Sequence, residues 1–182
     1  GREAPSAGPA EPPPRPRQGH APAPTCPKGG ARALTPGEID LARGIFGDAL
    51  EYAAIEIRRR KWFAFQPRRV TMAPRGHVHF HPEGSAYCDD FSREGMLRQG
   101  LLIHELTHVW QAQEKGSWYL PLRRHPFCRY DYALRPGRPL DSYGIEQQAE
   151  IVRHAFLLRR GVRLAGVADS AAYDALVRFP GA

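Results

Sequence analysis

Cysteine is scarce and irregularly placed. Cys26, Cys88 and Cys128 form no C-x-x-C pair, and an odd total of three argues against a disulfide scaffold and against a thiolate metal site. The three are read as structural or free, with a Cys88 to Cys128 bridge the one pairing left open. Long apolar runs are missing as well: nothing approaches the roughly 20 residues that span a bilayer, and no apolar segment near the N-terminus reads as a signal peptide. Residues 1–33 hold half of the 18 prolines and lack Val, Ile, Leu, Met and every aromatic residue. A segment of this kind buries too little apolar surface to offset its ordering entropy, so it is predicted as a disordered Pro-rich linker, and residues 34–182 as one folded domain. Because the chain starts at Gly1 rather than Met, it is read as a trimmed piece whose targeting information lies elsewhere.

Lysine is nearly absent, at 3 residues against 23 arginines. The net charge of +7 divides into +3 on the Pro-rich segment and +4 on the rest, and abundant Ala, Pro and Gly point to a coding bias rather than a nucleic-acid surface. No nucleic-acid motif accompanies the charge, and the Arg58 to Lys61 run reads as a solvated helix end.

What is present is an H-E-x-x-H motif, His104-Glu105-Leu106-Thr107-His108, in a run free of Gly and Pro from Leu101 to Gln111. Residues four apart share a helix face, so His104 and His108 can offer two imidazoles to one zinc ion while Glu105 stands beside them as a base. Leu97, Leu101, Leu102, Leu106 and Val109 recur at helical spacing, Ser92 reads as N-cap and Gly116 as terminator, which predicts a helix of about twenty residues. The alternative, two core histidines, would bury two ionisable rings and a carboxylate without a shared partner.

Around this helix the pattern predicts an α+β domain. Thr35-Pro36-Gly37-Glu38 is a capping box, and apolar positions from Ile39 to Ile57 predict a long scaffold helix to about residue 60, weakened at Gly44 and Gly47. Residues 69–73 and 77–81 read as a hairpin turned by Pro74-Arg75-Gly76. In its second arm His77, His79 and His81 share a polar, solvent-facing side and Val78 and Phe80 the other, an arm to which a substrate strand could add if it is the edge beside the motif helix. Residues 117–144, rich in Pro and aromatics, read as the wall of a cleft in which Trp118 helps to form apolar subsites. A helix from Ile145 to Arg160 closed by Gly161 and a short one from Ser170 to about Arg178 complete the domain.

A hydrolytic zinc site needs a third protein ligand. The H-E-x-x-H-x-x-G-x-x-H pattern fails, because Gln111 and Glu114 occupy its Gly and His positions. Glu146 and Glu150, one turn apart on the following helix, offer a ligand and a carboxylate that orients a ligand His, with Glu114 and His154 as alternative ligands. Glu146-Gln147-Gln148-Ala149-Glu150 resembles the E-x-x-A-D element of zincins of the gluzincin type, departing from it by Glu150 in place of Asp.

The stretch from Leu34 to Arg163 is similar to the bacterial zincin-like metallopeptidase domains termed Vgr-related, relatives of domains attached to secreted toxins and type VI secretion components. The residues that carry this resemblance are His104 to Gln111, Leu122 to Tyr130 and Tyr143 to Glu150. It implies a zincin-like fold, bound Zn2+, peptide hydrolysis, a peptide or protein substrate, a secretion-apparatus partner and delivery out of the producing cell. The expected chemistry places the metal on His104, His108 and Glu146, the base at Glu105, the orienting carboxylate at Glu150, and the oxyanion donor among Tyr132, Tyr143, His125 and Tyr130. The competing expectation is a non-catalytic, zinc-stabilised binding module of a secretion assembly.

Overall fold

The computed structural model describes residues 21–125, 127–167 and 169–182. In chain order these form strand β1 (Ala31–Ala33), helix α1 (Pro36–Phe46), strands β2 (Glu56–Arg58) and β3 (Val78–His79), and helices α2 (Met96–Lys115), α3 (Tyr119–Arg123), α4 (Ile145–Arg159) and α5 (Ser170–Leu176). The fold is therefore α+β, with one three-stranded sheet in the order β1-β2-β3 and helices that form most of the core.

The boundary at residue 33 needs correction. Residues 1–20 of the expected linker lie outside the described residues, but 31–33 pair antiparallel with β2, Arg32 opposite Ile57. Tertiary partners hold this segment where composition gives no drive. The Cys26 N–H donates to Asp89, Arg59 donates to the Cys26 carbonyl, and Arg32 forms a 2.7 Å ion pair with the fully buried Glu38. Glu38 also accepts from the backbone N–H groups of Thr35 and Phe91, so the capping box of α1 ties β1, α1 and the approach to α2 together.

Helix α1 stops at Phe46, not near residue 60. Gly47 takes φ 52°, which a residue with a Cβ rarely adopts, and an added Cβ would meet the Pro180 carbonyl oxygen at 2.3 Å. The apolar residues beyond it enter a 3-10 turn at Tyr52–Ala54 and then β2, where Ile55 and Ile57 are buried. The Arg58 to Lys61 run thus follows a strand, and Arg59 stacks over Tyr87.

The expected hairpin survives only as a bridge, Met72 opposite His79, while β3 pairs in parallel with β2. Met72 and His79 exchange both backbone hydrogen bonds, so the outer edge of β3 at His79 is already covered and the segment at 72–74 is the outermost one. His79 is buried, contrary to a solvent-facing side, and burial, with help from Arg58, pulls its imidazole down to about 4. Since the folded pKa lies below the ordinary 6.5, protonation favours the unfolded chain: this stability is intact above about pH 6.5 and is lost as pH falls toward 4. The expected loss from this residue is about 3 kcal/mol, and denaturant titrations at several pH values should give a shallower acid slope for His79→Gln.

Helix α2 runs to Gly116 as the pattern predicts but begins at Gly95; Ser92 instead lies in a 3-10 turn capped by Asp90. Leu97 is exposed, whereas Leu102, Ile103, Leu106 and Val109 have no exposed surface and meet Ile151, Val152 and Ala155 of α4. Each such side chain contributes about 1.5–3 kcal/mol by leaving water, which fixes α2 against α4 and with it the residues both helices carry. All three cysteines are free, so no Cys88 to Cys128 bridge forms.

Candidate metal centre

Helix periodicity brings His104 and His108 to one face of α2, and the α2–α4 interface brings Glu146, in the first turn of α4, onto it. His104 Nε2 lies 3.3 Å from His108 Nε2 and 3.3 Å from Glu146 Oε2, and His108 Nε2 lies 3.2 Å from that same oxygen. All three residues are buried, and among the described residues they are the group of His, Cys, Asp or Glu side chains able to share a metal ion. A tetrahedral ion bound at the 2.0–2.1 Å typical of zinc sets neighbouring ligand atoms about 3.3–3.4 Å apart, so the triangle observed fits that donor set.

The surrounding residues fix the rings. The Nδ1 atom of His108 sits 2.8 Å from Gln111 Oε1, and the Gln111 amide donates in turn to the Ile145 carbonyl and to Gln148. Glu150 Oε1 lies 2.9 Å from His104 Nδ1, an ion-pair contact not aligned as a hydrogen bond. Burial lowers the His104 pKa, but the carboxylates of Glu146, Glu150 and Glu105 outweigh it and hold the ring up at about 9. Burial likewise opposes ionisation of Glu146 and Glu150; the facing histidines nevertheless hold Glu146 well below the usual carboxylate range and lower Glu150 as well.

Glu105 is buried, and its Oε2 atom has no hydrogen-bond partner among the described residues. Burial pushes its carboxyl up, with His104 and His108 pulling the other way. Glu105 lies outside the ligand triangle.

The other sequence candidates separate. The Tyr132 hydroxyl bonds to His154 Nδ1 and to the Tyr173 hydroxyl, and the Tyr143 hydroxyl accepts from the Arg135 N–H, so neither is a donor at the cluster. His125 is exposed and its Nδ1 accepts from the Phe127 N–H. Glu114 is exposed, and His154 contacts Glu150 at 3.4 Å instead of joining the triangle. Tyr130 does reach the site: its ring stacks on His104 with centroids 6.2 Å apart, and burial and Glu146 push its hydroxyl up to about 12, keeping it a donor at neutral pH. Gln111, three residues after His108 on the same helix face, is the orienting residue that the H-E-x-x-H pattern does not single out.

No family model matches the chain. Over 133 residues, 69% of the chain, it is 43% identical to the type VI secretion system spike protein VgrG2b of Pseudomonas aeruginosa, of which it spans only 13%. The solved effector domain of that protein superposes with a TM-score of 0.62 at 37% identity, covering 79% of this chain and 80% of the domain. The chain belongs to the VgrG2b effector-domain family. Among the described residues no helix is long and apolar enough to cross a membrane.

Proposed function

We propose that the chain is a zinc-dependent metallopeptidase of the zincin-like, gluzincin type, carried as an effector domain by a secretion spike. The observation behind this reading is the equilateral triangle of His104, His108 and Glu146 with the buried, partner-free Glu105 carboxylate on the same helix. A zinc ion held by these three residues would supply a water acidified to a pKa of about 7 and a Lewis acid for the scissile carbonyl. Glu105 would serve as the general base, taking a proton from the attacking water and passing it to the departing amine nitrogen. Tyr130, stacked on His104, is the donor for the oxyanion, in place of Tyr132, Tyr143 and His125. Glu150 and Gln111 keep the two imidazoles turned toward the shared point. Delivery by a secretion apparatus, and partnership with it, follow from the relative's being a spike protein.

Elemental analysis together with cleavage of a mixed peptide library tests this reading. The expected result is one zinc per chain and cleavage that a chelator stops and added zinc restores. Zinc without cleavage would favour the binding-module alternative, and absence of zinc would return both histidines to a purely structural role.

A further inference from the structure

Two cavities meet at Glu146; both have largely apolar linings, and they differ in the cationic side chains that each carries. The first, about 160 Å³, includes His108, Glu146 and Arg124 in its lining; its other walls are apolar, among them Trp62, Met72, Pro74 and Leu120. At roughly 30 Å³ per water this is the space of about five waters, enough for one large side chain. The second, about 340 Å³, shares Ile145 and Glu146 and adds Phe127 and Cys128, but it also carries Arg123, Arg129 and His125, with Glu146 its one acid. Arg123 stacks on Tyr119, and neither arginine makes an ion pair among the described residues, so their charge is available to a ligand. Trp118, expected among the apolar subsites, lines neither cavity; it is exposed, with the Arg75 guanidinium 4.4 Å from its ring centre.

Building on the hydrolase reading, we propose that the substrate is an extended peptide with an apolar side chain on one side of the scissile bond and a carboxylate side chain on the other. Trp62 and Leu120 select the first, by removing apolar surface from water; Arg123 and Arg129 select the second, by charge-assisted hydrogen bonds. Both cavities include Glu146 in their lining, one together with Trp62 and Leu120 and the other with Arg123 and Arg129, so a substrate strand passing over that carboxylate meets both sets of side chains. The 72–74 segment, which contributes Met72 and Pro74 to the apolar side, is also the outermost segment beside β3.

The test profiles cleavage of a mixed peptide library by the zinc-loaded wild type, Trp62→Ala and the double variant Arg123→Glu/Arg129→Glu. In parallel, matched peptides are titrated onto zinc-loaded Glu105→Gln by fluorescence anisotropy. Wild type is expected to prefer an apolar residue on one side and Asp or Glu on the other. Trp62→Ala should lower the apolar-over-Ser preference by about tenfold, and the double variant should turn the acidic preference into a basic one. Cleavage without these preferences, or with preferences unchanged in the variants, overturns the proposal and leaves the hydrolase reading intact. Selective binding without cleavage keeps the subsites and sinks the hydrolase reading, while neither cleavage nor binding overturns both.

Discussion

Glu105→Gln should retain zinc at the wild-type level and lose turnover by a factor of about 10²–10⁴, the range that a positioned general base supplies. The substitution keeps the shape and removes the basic oxygen. Metal binding should persist because the ligand triangle consists of His104, His108 and Glu146, and Glu105 is outside it. Turnover should fall because Glu105 is the buried carboxylate of the motif helix with an oxygen left unpartnered, and burial already raises its proton affinity. Equal turnover in the two proteins, measured as kcat on one cleaved peptide, would move the proton transfer to another residue. A parallel loss of zinc would place Glu105 among the ligands and contradict the triangle.

How much of this was legible depended on how local each signal was. The motif helix and α4 were readable because their apolar faces repeat at helical spacing and Gly116 and Gly161 end them with φ of 96° and 80°. The stretch after Gly47 misled for a physical reason. Its apolar residues keep a spacing of three and four, yet the turn at Gly47 is set by backbone contact with Pro180 and Ala182 at the far end of the chain. Strand β1 gave no signal at all, since Ala31-Arg32-Ala33 owes its order to pairing with β2 and to the Arg32–Glu38 ion pair. In the site, the two histidines are fixed by four-residue spacing and Glu146 by the packing of two amphipathic helices. The aromatic donor was not rankable from sequence, because Tyr130, Tyr132 and Tyr143 differ only in the partners that the fold gives their hydroxyls.

Glu146→Ala and Glu150→Ala, though only one helical turn apart, should behave differently toward the metal. Glu146 Oε2 closes the triangle with both imidazoles, so its removal leaves two ligands and should abolish stoichiometric zinc binding. Of the triangle, Glu150 touches His104 alone, through Nδ1, on the ring edge away from the shared point, and its truncation should leave zinc bound but weaken it by about 10- to 100-fold. Glu150 is itself held by Arg153 at 3.3 Å and by His154 at 3.4 Å, and His154 is joined through the Tyr132 hydroxyl to Tyr173 of α5. The extra methylene that distinguishes Glu150 from the Asp of the resembling motif therefore ends on a braced carboxylate rather than a mobile one, and Glu150→Asp should shorten its reach and bind zinc more weakly than wild type. Chelator-competition titrations of the three variants separate these roles: a Glu150→Ala chain that loses all zinc while Glu146→Ala keeps it would exchange ligand and orienter.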